Sequence, residues 1–469
     1  MTLLNELSHH RGSNSGPGVY ETPALPTELW WLIITARQII SAPCEKRQGI
    51  PLNIAMISYH TCPLATLGGK DTGGMNVYVA ELTRQLGRDG IHVDVFTRSQ
   101  DEHVPHVIHS LGFGNRVVHI PAGPEVPLPK QELAKHIPTF AEEIKRFARE
   151  KDIHYDLIHS HYWMSGIAGE ILKAEWKVPL LQMFHTLGLM KNRIAQSESE
   201  IEGDYRINGE RQVMRAADKI VAATQAEEAQ LEFLYEVDDQ KIVIIPPGVD
   251  TSRFYPIPND EAKEAIGHHG CPRLLLFVGR IEPLKGIDTL IRALAMVRAS
   301  GILEKQCYSL AIIGGDPDAP VEEMSSEMAR LQALCEELDL EDLVVFLGKR
   351  AQETLPYYYS AADILIMPSH YESFGMVALE AMACGTPVIA SQVGGLAFLV
   401  QDGITGYVVP GGDPAALAKT LTRLIQQPDL RALLGRQAAE YASWYSWDKI
   451  AARMKNVYDE MLENKNPCD

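Results

Sequence analysis

Residues 273–297 read RLLLFVGRIEPLKGIDTLIRALAMV. The run from Leu274 to Val278 is wholly apolar, as a strand covered on both faces requires. From Ile287 to Val297 apolar residues recur at spacings of three and four, which marks one face of a helix. Between the two lies a loop carrying Arg280 and Lys285. This unit decides the fold because it restarts a rhythm that the first half of the chain has already run. There LNIAMISYH (52–60), IHVDVFTR (91–98), YDLIHSHYW (155–163), VPLLQMFHT (178–186), ADKIVAAT (217–224) and KIVIIPPGVD (241–250) read as strands, and GGMNVYVAELTRQLGRDG (73–90) as a glycine-led helix. The second half adds YSLAIIGGD (308–316), DLVVFLGK (342–349), ADILIMPS (362–369) and TPVIAS (386–391). Alternating strands and helices predict an α/β chain of two doubly wound parallel sheets, each Rossmann-like, facing across a cleft.

Pro246-Pro247-Gly248 marks the boundary between them. The expected organisation is an extension over 1–50, one domain over 51–246, a second over 247–430, and helices over 431–469 that cross back to the first domain. Two domains are also what 469 residues call for. Ligands should bind at the C-terminal ends of the strands.

Composition sets limits. A formal net charge of -18 argues against a nucleic-acid binder, which needs a basic surface, but leaves room for an anionic substrate in a local basic pocket. The seven cysteines are scattered without CxxC pairing and read as reduced thiols, so a cytoplasmic location is expected. LWWLIITARQII (29–40) is too short, and too interrupted by Arg37, to span a bilayer, and it lacks the flanks of a signal peptide. It reads as a capping helix or an amphipathic segment in weak contact with a membrane surface.

Several loops carry candidate chemistry. GGKDTGG (68–74) could bring backbone amides to an anion at a helix N-terminus, or be a flexible turn. It lacks the G-x-G-x-x-G spacing, no acidic residue ends the second strand, and no Walker A motif occurs, which lowers NAD enzymes and phosphate-loop ATPases. Arg280 and Lys285 at a strand end suit a diphosphate; the alternative is a solvated loop with two charges. HSHYW (159–163) and FHT (184–186) place histidines at two strand ends, better suited to a polar wall than to zinc, since no further ligand has the spacing. DPD (316–318) reads as a turn rather than a metal clamp. In ESFGMVALE (372–380), Gly375 should open a helix with Glu372 before it and Glu380 inside it. That spacing suits two separate ligand contacts better than an acid/base pair around one bond; a capping glutamate plus a surface glutamate is the plain alternative.

From about residue 52 to 460 the chain resembles the retaining glycosyltransferases of family 4, which have the GT-B fold. The matching pieces are DTGGMNVYVAEL (71–82), DLIHSHYW (156–163), FHTLGLMKN (184–192), NGERQVMRAADKIVAAT (208–224), PPGVD (246–250), FVGRIEPLKGID (277–288), ADILIMPSHYESFGMVALEAMACGTPVIAS (362–391) and GITGYVVP (403–410). The resemblance implies a hexosyltransferase with a nucleotide-sugar donor in the C-terminal half and an acceptor in the N-terminal half. It implies that Arg280 and Lys285 hold the donor diphosphate, that Glu380 binds the ribose, and that Glu372 contacts the donor sugar beside the amides of Phe374, Gly375 and Met376. Gly73 and Gly74 would approach from the other domain, and His161 and His185 would line the reaction centre. Such enzymes need neither metal nor cofactor, because Arg, Lys and helix dipoles neutralise the leaving diphosphate.

Within the family, two branches that act on phosphorylated acceptors are most similar. Lys130, Tyr162, Thr186 and Arg206 match the acceptor-phosphate residues of the inositol-phosphate branch, and Asn76 matches a polyol contact. HYWMSG and GGMNVYV look like that branch, and Met75 departs from the sucrose-phosphate synthases, which usually carry Gln there. DTGG is shared with those synthases, and the isoleucine and lysine usage is unlike the high-GC background of the inositol branch. On balance the expectation is transfer from UDP-glucose to fructose 6-phosphate, with inositol-phosphate N-acetylglucosaminyl transfer as the alternative. An NDP-sugar 2-epimerase of the same architecture is the alternative of another class. All partners expected are small molecules, not nucleic acid.

Overall fold

The computed structural model describes residues 52–65, 72–195, 201–268, 273–303, 307–320 and 324–463. The apolar run 29–40 and residues 68–71 of the glycine-rich loop lie outside them.

The first half is built on an eight-stranded sheet. Its strands are β1 (Asn53–Ile57), β2 (His92–Arg98), β3 (Val107–Ile108), β4 (Arg116–Ile120), β5 (Leu157–His161), β6 (Leu180–Met183), β7 (Lys219–Ala222) and β8 (Ile242–Ile244). They run in the order β3-β4-β2-β1-β5-β6-β7-β8, all parallel except β3 against β4. The second half has a six-stranded parallel sheet of β9 (Arg273–Val278), β10 (Tyr308–Ile313), β11 (Val344–Gly348), β12 (Ile364–Met367), β13 (Val388–Ser391) and β14 (Gly406–Val409), ordered β11-β10-β9-β12-β13-β14. Two doubly wound parallel sheets are therefore present, as the strand rhythm predicts. In each, the order reverses beside the first strand, between β1 and β5 and between β9 and β12. At such a switch point the flanking loops part and leave a crevice beyond the strand ends. The described loops after β5, β9 and β12 open there.

The sheets are filled as parallel sheets must be. Ile54, Met56, Leu274, Leu276, Leu365 and Val388 are fully buried or nearly so, and belong to a core that is continuous across the two halves. The helix Trp447–Glu463 makes that continuity. The preceding helix, Pro428–Ala442, packs on the second half against Met376–Ala383. The chain then crosses at Ser443–Ser446, where Val249 N–H donates to the Tyr445 carbonyl at 2.8 Å. From there Trp447–Glu463 lies along the helix Gly74–Arg88 of the first half. Tyr458 Oη meets His159 Nδ1 at 2.8 Å, and Arg453 donates to the Ile244 carbonyl at 2.7 Å.

One sequence reading fails. Cys307 is disulfide-bonded, while Cys62, Cys335 and Cys384 are free, so the cysteines are not uniformly reduced thiols. A disulfide needs closeness in space, and spacing along the chain does not display that. No helix among the described residues is long and apolar enough to cross a membrane.

Candidate active site

The second half supplies a cradle made of two interlocked loops. Behind β9, the loop Gly279–Gly286 turns sharply at Gly286, whose φ is 62° and whose added Cβ would lie 2.1 Å from the Pro368 carbonyl oxygen. That close approach ties the loop to the one behind β12, where His370 N–H donates to the Leu284 carbonyl at 2.8 Å. Across the junction Lys285 Nζ lies 2.5 Å from Glu372 Oε2. Arg280, half exposed, pairs with Glu282 at 2.6 Å. Gly375 then takes φ 103° at the N-cap of the helix Met376–Ala383, with no side chain capping it. Its first amides and the helix dipole therefore favour an anion beside Lys285.

Glu372 sits in the loop and Glu380 lies inside the helix, as the sequence predicts for this stretch. Their surroundings differ. Glu372 is ion-paired and partly open to water. Glu380 is buried, accepts a hydrogen bond from Tyr359 Oη at 2.8 Å, and is pushed up to about 7 by burial, against the opposing pull of Tyr359 and Arg253. The DPD segment lies in a turn after β10, again as read from the sequence.

The first half brings its histidines together. β5 ends in His161 and β6 leads to His185; His161 Nδ1 and His185 Nε2 are 3.0 Å apart. His161 is fully buried, whereas His185 is half-buried, so His185 is the member that reaches the crevice. Burial pushes His185 down to about 3, with His60 adding to the effect, and it holds His161 well below the ordinary value. Both are neutral at physiological pH and offer a hydrogen bond, not a charge. His185 (φ 62°) and the adjacent strand-end residue Tyr162 (φ 73°) both hold left-handed backbone, which costs energy for side chains of this size.

Around the Tyr162 ring the structure gathers the residues expected to hold an acceptor. Arg206 stacks 5.2 Å from the ring centroid and the Lys130 ammonium lies 5.9 Å from it. Arg206 Nη2 donates to Thr186 Oγ1 at 3.0 Å and to the Thr186 carbonyl at 3.1 Å. Its Nε reaches Glu210 at 2.9 Å and Nη1 reaches Glu202 at 2.5 Å. Asn76 is buried beneath the glycine loop. It accepts from Gly73 N–H at 2.9 Å and donates to Thr61 Oγ1 and the Cys62 carbonyl at 2.8 and 2.7 Å. Its amide thus shapes the loop from below. The loop itself meets the other half: a Cβ on Gly74 would stand 3.2 Å from Met376 Sδ. Gly74 therefore lies against the start of the helix Met376–Ala383, at the point where the two halves meet.

The sequence reading did not single out Lys191, Glu202, Glu210 and Tyr235, which surround Arg206. The one available signal was the Arg206–Glu210 spacing of four, which puts opposite charges on one helix face; Glu202 lies before that helix, which begins at Asp204. Arg98, at the end of β2, is buried and donates to the carbonyls of Ala122, Pro124 and Val126. It is a pin for that loop and not part of the site.

Comparison with known proteins agrees with this geometry. Residues 72–253 match the model for Glycosyltransferase Family 4, and residues 258–441 match that for Glycosyl transferases group 1. A D-inositol 3-phosphate glycosyltransferase from Catenulispora acidiphila is 40% identical over 418 residues, covering 89% of this chain and 97% of that one. The chain belongs to the GT-B glycosyltransferases of this family. A second relative of this glycosyltransferase, the D-inositol 3-phosphate glycosyltransferase of Acidothermus cellulolyticus, is 41% identical, with 88% and 92% of the two chains covered. Among solved structures, the sucrose-phosphate synthase of Thermosynechococcus elongatus aligns with a TM-score of 0.79 at 35% identity, over 88% of this glycosyltransferase and 100% of the synthase. The protein is thus an enzyme, a hexosyltransferase.

Proposed function

We propose that this glycosyltransferase moves a hexosyl group from a UDP-sugar to a small phosphorylated acceptor. The carrying observation is the gathering of Lys130, Thr186 and Arg206 around the Tyr162 ring in the first half. Two cations, a phenol and a hydroxyl from four segments make a cage for a phosphate ester. The donor diphosphate lies on Lys285, Arg280 and the helix amides after Gly375, with Glu372 at the sugar and Glu380 at the ribose. No metal is needed in this reading, since those cations and the helix dipole take up the charge of the leaving diphosphate. The bond from the anomeric carbon to the phosphate oxygen breaks and the bond to the acceptor oxygen forms on the same face. The acceptor hydroxyl proton goes to the departing phosphate. Neutral His185 orients the sugar by hydrogen bonding.

Inositol phosphate is the first acceptor to test, supported by the relatives at 40–41% identity and by Met75, which stands where the sucrose-phosphate synthases usually carry Gln. Fructose 6-phosphate, with sucrose 6-phosphate as product, is the second reading, supported by the synthase structure at TM-score 0.79. The test is release of UDP from UDP-glucose and UDP-N-acetylglucosamine with each acceptor, phosphorylated and not. Release that depends on a phosphorylated acceptor supports the proposal. Release independent of any acceptor would instead indicate a 2-epimerase or hydrolase acting on the donor alone.

A further inference from the structure

Cations from two segments meet on one carboxylate, Glu202. Its Oε1 lies 2.7 Å from Lys191 Nζ and 2.5 Å from Arg206 Nη1. The Lys130 ammonium, 5.9 Å from the Tyr162 ring centroid, adds its positive charge to the same neighbourhood. Burial works against ionisation of Glu202, yet Arg206, Lys191 and Lys130 together hold its carboxyl below the ordinary range. The two carboxylates on Arg206 differ in kind. Glu210 is completely buried and also accepts from Gly188 N–H and Tyr235 Oη, which fixes it as scaffold. The Glu202 side chain is 19% exposed, and among the described residues its carboxylate accepts from the two cations Lys191 and Arg206. Its backbone is clamped separately: Glu202 N–H donates to Asn192 Oδ1 at 2.7 Å and Asn192 Nδ2 donates to the Glu202 carbonyl at 3.0 Å. The side chain can therefore swing out by rotating its own torsions while the backbone stays in place.

We propose that Glu202 is a built-in stand-in for the acceptor's phosphate, seated on Lys191 and Arg206 with Lys130 nearby, until a phosphorylated acceptor displaces it. The inference rests on the reading that these residues receive an acceptor phosphate, and it adds Lys191 to them. The exchange replaces one negative charge by a group carrying about 1.5 to 2 at neutral pH, so a phosphate ester gains from it. An acceptor without phosphate cannot displace Glu202 and finds the seat filled. Selectivity for phosphorylated acceptors then comes from an internal competitor as well as from attraction.

Glu202→Gln keeps the shape and removes the charge. The expected result is a fall of about tenfold in the KM for the phosphorylated acceptor, and a similar fall in the inhibition constant of inorganic phosphate, with donor KM unchanged. Lys191→Met should raise both acceptor quantities by about tenfold in either background. Should Glu202→Gln fold poorly, Glu202→Asp, which retracts the carboxylate by one methylene, should tighten phosphate in the same direction by a smaller factor. An acceptor KM that rises or stays level in these Glu202 variants would overturn the proposal and make Glu202 scaffold. The underlying reading fails differently: wild-type enzyme would then use phosphorylated and unphosphorylated acceptors equally well, whatever the variants do.

Discussion

At the scale of single residues, charge placement decides what each side chain can do. Lys130 is partly exposed and supports the cage from its rim. Lys130→Met should raise the acceptor KM by about tenfold and leave the donor KM within twofold, as steady-state kinetics with each substrate varied would read. Glu380 makes a prediction in pH. Its carboxyl sits at about 7 in the fold against 4.5 as the ordinary value, because burial disfavours the charged form. The native protein thus holds this proton more tightly than the unfolded chain. Its contribution to stability is intact below pH 4.5, declines as pH rises from 4.5 to 7, and is constant above. Glu380→Gln removes that loss, so in thermal melts without ligand it should gain on wild type by about 1–3 kcal/mol between pH 5 and 8. A gap between the two proteins that does not change with pH would contradict this. The same variant should bind UDP more weakly, since an amide replaces the carboxylate proposed for the ribose.

At the scale of elements, positions where backbone meets backbone control the donor loops. Gly286→Ala would force a Cβ to within 2.1 Å of the Pro368 oxygen at a φ of 62°. It should cost about 1–3 kcal/mol in denaturant unfolding and weaken UDP binding measured by calorimetry, because Lys285 is the next residue. These loops also show how much the sequence reveals. The strand ends carrying Arg280, His161 and His185 were legible, because buried parallel strands leave long apolar runs that stop abruptly. The strands β3 and β4 were not, since β3 has two residues and the five-residue β4 lies among exposed turns. The meeting of Lys285 with Glu372, 87 positions on, was equally invisible, as was the set of carboxylates around Arg206. Periodicity reports which side of an element is buried. It does not report which loops from distant elements touch. For Lys130, Tyr162, Thr186 and Arg206 the guide was likeness to a family, and the structure brings all four to one ring.

At the scale of the whole molecule, the helix Trp447–Glu463 joins the halves. Trp447 is buried, stacks edge-on with Tyr78 at 5.4 Å, and lies so close over Gly248 that a Cβ there would stand 2.6 Å from the indole. Trp447→Ala should cost about 3–5 kcal/mol and split or broaden the calorimetric unfolding transition, because it opens a cavity where the halves meet. A single sharp transition shifted by less than a degree would show that the halves are coupled elsewhere. The crossing also bears on how such enzymes can be recombined. By sequence this helix trails the second half, but by packing it belongs to the first. A chimera cut once near Pro246 would set one parent's Trp447–Glu463 against the other parent's Gly74–Arg88. Exchanging donor preference between relatives therefore calls for a second junction, within Ser443–Ser446, so that each half keeps the helix it was shaped to hold.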